Sequence, residues 1–560
     1  MSKRTLLSSG VKSQIPRRDL LQAGMLGGVA AVIAPALSAG RALAQQAPEP
    51  MSVPAFEFEE ATVSDLQSRM SAGQISAAAL AQAFLERIQG VDKTGPRLNS
   101  VIELNPDVLA DAEALDKERK QKGARGPMHG IPVLIKDNID TADRMQTTAG
   151  SLALEGTKAA EDSGVARKLR EAGAVILGKT NLSEWANIRS SHSTSGWSGR
   201  GGLTKNPYAL DRNACGSSSG SGAAVSANLC MVAVGTETDG SIVCPSNANG
   251  IVGIKPTLGL ISRAGIIPIA HSQDTAGPMA RTVRDAAILL GALAGSDARD
   301  PATANPKIKV QKDYTQFLDA NGLRGARIGV ARKYFGFNDA VDELMNHLID
   351  EIKAAGAVVV DPADLESHGK FDETEMVVLM YELKTDLNRY LTSRPDAQVR
   401  TLADVISFNE KYQGREMPYF GQDLLLKAQE KGPTEKEYMA ALTANHSLAR
   451  EHGIDGVMDK FHLDALLAPT GGPAWITDLV NGDHAAGGSS NAAAVAGYPN
   501  INVPAGFVFG LPVGVSFFGR AGSEPQLLKI AYGFEQMAKA RKTPQLLSSI
   551  SVGRIEISIR

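Results

Sequence analysis

The chain has 560 residues, 43% of them hydrophobic and 21% charged, with a formal net charge of −3. That is ample apolar material for a large core, without the basic excess a nucleic-acid partner calls for or an acidic block of the kind found in disordered tails. Its 56 glycines fall mostly between apolar runs, the texture of a loop-rich α/β protein rather than a helical bundle.

At the N-terminus, Pro16-Arg17-Arg18-Asp19-Leu20-Leu21-Gln22 sets a twin arginine before an uncharged, Gly/Ala-rich run over 23–37. Ala42-Leu43-Ala44 then supplies the small residues of a cleavage site. This order is that of a secretory signal. The weakly apolar middle and the arginine pair mark it as twin-arginine (Tat) type, which exports folded proteins. A membrane anchor is the alternative, but the run is shorter than the ~20 residues a span needs. Residues 1–44 are therefore expected to be a cleaved signal peptide, and the mature chain to be periplasmic or secreted. Cleavage leaves 52 basic against 60 acidic residues, a net charge of −8. With no second long apolar stretch, no membrane association is expected after cleavage.

Residues 45–60 read as a leader. Helices follow: one from Ser64, its cap, through Leu66 and Met70, one over 76–88, and a charged one over 106–122. The pattern then changes. Residues 130–136 are a short apolar strand ending in Lys136, 164–172 a helix, and 174–178 a buried strand. Such alternation predicts α/β architecture. Residues 195–250 are Gly/Ser-rich, 282–294 helical, 327–331 and 357–360 strands around a helix near 340–355, and 463–469 and 512–518 strands. The polar, helix-rich stretch 365–460 reads as a cap on a single catalytic domain over 61–545.

Cys215, Cys230 and Cys244 lie close together along the chain, with no C-x-x-C pair and no histidine between them to complete a zinc set. The odd count argues against a disulfide framework, so three small buried residues are expected.

Three segments carry chemistry. Lys136 ends an apolar strand before Asp137-Asn138. It is either solvated there or drawn into a site, where burial lowers its pKa until the neutral amine accepts a proton. Cys215-Gly216-Ser217-Ser218-Ser219-Gly220-Ser221-Gly222 leads into the small apolar residues 223–227 and so sets hydroxyls and N–H groups at a helix N-terminus. A flexible linker fits less well, and the Gly-Lys-Ser/Thr ending of a phosphate loop is missing. Gly235-Thr236-Glu237-Thr238-Asp239-Gly240-Ser241-Ile242 places a glycine before an exposed serine, with the N–H groups of Thr238, Asp239, Gly240 and Ser241 able to converge on an oxyanion. Val243 rules out the G-x-S-x-G elbow. Neither His129 nor His271 stands in a recognisable triad, which favours a Ser-Ser-Lys set.

In this order the segments resemble the amidase signature family, with Ser241 following Ser217 at the interval that family uses. The resemblance continues through 250–257, 273–281, 499–507 and 511–514. It implies Lys136 as base, Ser217 as relay held by a cis peptide and supported by Ser218, and Ser241 as acyl-enzyme nucleophile. It also implies a large mixed β-sheet packed between helices. Asp239 and Glu237 depart from the usual family residues, and Asp239 would disfavour anionic substrates. The run 236–245 is similar to the peptide amidases of the family. A lookalike loop, Gly487-Gly488-Ser489-Ser490, has Gly514 where the same interval would require a serine, and it reads as a helix-entry loop.

The expected protein is an exported amidase, monomeric or homodimeric, with a small-molecule or peptide amide substrate and no requirement for metal or cofactor. Trp185, Ile188 and the cap are candidates for the acyl pocket, or else ordinary packing. Rival readings are an aryl-acylamidase or carbamate hydrolase, the glutamine-hydrolysing subunit of a tRNA amidotransferase, and a binding protein without chemistry.

Overall fold

The computed structural model describes residues 49–550, apart from 431, together with 557–558. The segment read as a signal peptide lies outside these residues.

Buried apolar runs form the strands β1 (Val101–Leu104), β2 (Pro132–Lys136), β3 (Val175–Thr180), β4 (Val232–Glu237), β5 (Val252–Lys255), β6 (Thr275–Ala280), β7 (Arg327–Val330), β8 (Val358–Val360), β9 (Ala465–Pro469), β10 (Asn500–Val508) and β11 (Leu511–Phe518). They lie in one sheet in the order β1-β3-β2-β4-β6-β5-β10-β11-β9-β7-β8, and Ile557–Ser558 pairs alongside β10. Pairing is parallel at β3-β2-β4 and at β9-β7-β8, and antiparallel elsewhere. Every residue of β2, β3 and β4 is buried. Both faces are therefore covered by helices, and such strands read as continuous apolar runs instead of alternating ones. The large mixed sheet between helices is as expected.

The helix predicted from Ser64 runs over Val63–Ser71 and is capped by Thr62, whose hydroxyl accepts from Asp65 N while Asp65 bonds back to the cap. That reciprocal box favours Thr62 over Ser64. Strands β6 and β10 escape the sequence pattern, because Gly277-Pro278 and Pro504-Ala505-Gly506 interrupt the β-branched signal. Two short helices flank β4 in the chain, α1 (Ser219–Ser226) before it and α2 (Val243–Ala248) after it. Within 365–460 the helices include α3 (Asp372–Thr392) and α4 (Glu435–Ala449). Leu379, Leu383 and Leu387 of α3 pack on Trp185, Ile188 and Ile267. Among the described residues no helix is long and apolar enough to cross a membrane.

Candidate active site

Lys136 is the last residue of β2 and has no exposed surface. Its Nζ lies 2.6 Å from Ser217 Oγ and donates to Thr236 Oγ1 at 2.8 Å and to Thr236 O at 3.2 Å. Asn138 Nδ2 donates to the same Thr236 hydroxyl at 3.0 Å. Burial pulls the amine pKa down to about 7, against the opposing pull of the Asp274 and Glu237 carboxylates. A neutral amine has two N–H groups and one lone pair. Thr236 takes the two N–H groups, which leaves the lone pair facing Ser217.

The loop that carries Ser217 is held just as closely. Helix α1 begins immediately after Ser218. Ser218 Oγ donates to Thr236 O at 3.0 Å and accepts from Thr236 N at 3.2 Å, fastening the loop to β4. Gly235 makes this possible, since a Cβ there would meet Ser218 Oγ at 2.8 Å. The cis peptide expected at Ser217 is not found; among the described residues the cis bond is Asp361-Pro362. The loop turns instead through left-handed backbone at Cys215 (φ +58°) and Gly216 (φ +60°).

Ser241 lies in the turn between β4 and α2. Glu237 Oε2 accepts from Ile242 N at 2.7 Å and Val243 N at 3.0 Å, so a carboxylate caps the helix that starts beside Ser241. Ser217 N donates to Ser241 Oγ at 3.4 Å, and Ser218 N to Ser241 O at 3.2 Å. The two hydroxyls do not hydrogen bond to each other. Catalytic hydrogen bonds are often long until substrate is seated.

Asp239, Gly240 and Ser241 line a cavity of about 270 Å³. Thr238 turns away from it, donating its hydroxyl to Asp274 Oδ1 at 2.6 Å. Enclosure raises the Asp239 carboxyl to about 6, with Glu237 pushing the same way, and its Oδ1 has no hydrogen-bond partner. The rest of the wall includes Asn247, Thr470, Gly472, Trp475 and Asp483. Trp185 and Ile188 are not in it, because they pack against α3. The lookalike loop does open a helix, α5 (Asn491–Ala496), and its Gly487, Gly488 and Ser490 also form part of the wall. Sequence reasoning missed Thr236, Asn138 and this distal wall. Thr236 stands inside one reactive segment and Asn138 just after another, whereas nothing local marks 470–490. A larger cleft of about 1010 Å³ runs past Arg263, His271 and Asp274, and neither Ser217 nor Ser241 opens into it.

The cysteines depart from expectation. Cys215 and Cys244 form a disulfide with Cα atoms 5.8 Å apart, leaving Cys230 buried and free. An odd count excludes only complete pairing. The fold itself brings the two half-cystines together.

Residues 79–528 match the sequence model of the Amidase family. A protein of Arabidopsis thaliana named as a probable amidase is 42% identical over 502 residues, covering 88% of this chain and 93% of its own. A glutamyl-tRNA(Gln) amidotransferase subunit of Halorhodospira halophila is 34% identical, covering 87% and 99%. The crystal structure of the peptide amidase from Stenotrophomonas maltophilia superposes with a TM-score of 0.83 at 51% identity, covering 88% and 99%. The chain belongs to the Amidase family and is a hydrolase of amide C–N bonds, with the amidase-signature fold.

Proposed function

We propose that the protein hydrolyses carboxamides through an acyl-serine intermediate, with C-terminal amides of peptides as its substrates. The observation that carries this reading is the buried chain of contacts from Lys136 through Ser217 to Ser241 at the cavity. Neutral Lys136 takes a proton from Ser217, which takes one from Ser241 as its oxygen attacks the carbonyl carbon. Backbone N–H groups of the turn at Asp239, Gly240 and Ser241 hold the oxyanion. The proton returns by the same route to the departing ammonia or amine. Water then adds to the acyl carbon and releases the acid.

The preference for peptide amides is supported by the run 236–245 and by likeness to a solved peptide amidase at 51% identity. The twin-arginine segment supports action outside the cytoplasm, as does a disulfide, which persists in oxidising compartments. It also counts against a role as a tRNA amidotransferase subunit. A panel of a dipeptide carboxamide, an anilide and an ester tests the substrate. Ammonia release from the carboxamide is expected to be fastest, and turnover of the anilide alone would sink the peptide reading. Fractionation of cells making the full chain tests export; retention in the cytosol with residues 1–44 uncleaved would overturn it.

A further inference from the structure

The disulfide joins the two segments whose relative position the reaction depends on. Cys215 stands two positions before Ser217, and Cys244 three after Ser241. Both line the cavity with Ser241. Beside the bridge, the segments are tied by the long 3.4 Å contact from Ser217 N to Ser241 Oγ, the 3.2 Å bond from Ser218 N to Ser241 O and the 2.8 Å bond from Asn249 Nδ2 to Ala214 O, none of which fixes the Cys215-Gly216 turn itself. Packing is tight here, since a Cβ on Gly216 would meet Pro245 Cδ at 2.6 Å. Cys215 is also held in left-handed backbone, at φ +58°, a region unfavourable for an L-residue with a side chain. Asn213 Oδ1 accepts from its N–H at 2.7 Å, and the sulfur bridge holds its side chain. If the bridge opens, the turn at Cys215 and Gly216 can relax and lengthen the contact from Ser217 N to Ser241 Oγ, while Ser218 stays fastened to β4.

The bond can be reached. Cys244 is half-buried at the cavity wall, whereas Cys215 is 2% exposed. Cys230 cannot intervene by exchange. It is fully buried, and its thiol is pushed up to about 12, whereas exchange needs an accessible thiolate.

We propose that the Cys215–Cys244 disulfide is a redox-dependent positioning element that holds the relay loop against the nucleophile turn, so that the amidase acylates fast only when oxidised. This rests on the Ser217 and Ser241 roles given above. In the opening step one thiolate of a small dithiol attacks Cys244 Sγ and Cys215 leaves as thiolate. The second thiol closes the reagent into its own cyclic disulfide and expels Cys244. Two electrons pass to the protein, and each cysteine ends protonated. A chain still in a reducing compartment would then be slow, and one exported into an oxidising compartment fast.

The test uses the mature chain oxidised, the same chain reduced with dithiothreitol, and the double variant Cys215→Ala/Cys244→Ala. Fluorophosphonate labelling at Ser241, read by mass spectrometry, and kcat and KM on a peptide carboxamide are measured, with near-UV circular dichroism as a check of fold. At least tenfold slower labelling and lower kcat are expected on reduction, with KM changed less and the dichroism kept. An oxidised small-molecule disulfide should restore the reduced chain, while dithiothreitol should leave the double variant unaffected. Should that variant not fold, reversible reduction of the natural chain decides alone. Equal rates in both redox states, or a rate loss that only tracks loss of fold, overturns the proposal. No labelling of Ser241 even in the oxidised chain overturns the nucleophile assignment itself, and this proposal with it.

Discussion

Lys136 Nζ and Ser217 Oγ lie 2.6 Å apart, and neither residue has any exposed surface. A lysine kept from water next to a hydroxyl is an amine that gives up its proton near neutrality, since burial takes its pKa down to about 7. The mechanism proposed above needs the neutral form for acylation. The rate of Ser241 labelling should therefore rise with pH along a limb centred near 7 and level off above it. Lys136→Ala should lower kcat by about 10²–10⁴-fold, the range general-base removal commonly gives, and abolish the limb. A limb unchanged in Lys136→Ala would remove the lysine from the mechanism.

Thr236 aims the lysine by taking its two N–H groups. Thr236→Val removes the hydroxyl acceptor and keeps the shape. Its oxygen stabilises the charged ammonium as well as orienting the amine. The variant should show a lower plateau and a limb displaced to lower pH, read from the pH profile of kcat/KM. A general loss of fold would instead lower activity at every pH without moving the limb.

Glu375 accepts from Gln273 Nε2 at 2.8 Å, and burial, reinforced by Asp239, raises its carboxyl to about 8. A carboxyl raised in the folded state binds its proton more tightly there than when unfolded. Its stabilisation is thus present below the ordinary value of 4.5 and is lost as pH rises from there to about 8. Glu375→Gln has no proton to lose. The variant should gain in melting temperature over the natural chain between pH 4.5 and 8, by a difference equivalent to no more than roughly a few kcal/mol. A constant offset across that window would count against it.

Arg189 is buried between Glu184, whose Oε1 lies 2.6 Å from its Nη1, and the carbonyls of Glu416 and Phe420 in the cap. Its guanidinium also lies over the Phe420 ring, 4.2 Å from the centroid. Breaking a buried pair by removing one partner costs about 3–5 kcal/mol. Arg189→Met should lower stability to urea by that order and quicken proteolysis within 400–430 before the rest of the chain. Proteolysis that begins elsewhere would show that the cap is not anchored here.

Much of this protein is legible in its chain. Uninterrupted apolar runs such as those of β2 and β3 announce strands buried on both faces, and the interval from Ser217 to Ser241 sets the register used by the proposed mechanism within a single stretch of sequence. Local turn chemistry at Gly216 and Gly240, both with positive φ, is likewise written in residue type. Tertiary structure alone decided the rest. The distal wall from Thr470 to Ser490 comes from segments far along the chain from Ser241, and only the sheet order brings them back to it. Trp185 has the size and apolarity of a pocket residue, yet it has a helix to pack against. The cysteine pair has no spacing rule to betray it, because a disulfide needs only that two sulfurs meet, and the fold decides which do. Lys136 itself is ambiguous until its depth is known: the same side chain is a solvated cation at a strand end and a base near neutrality inside, and burial makes the difference.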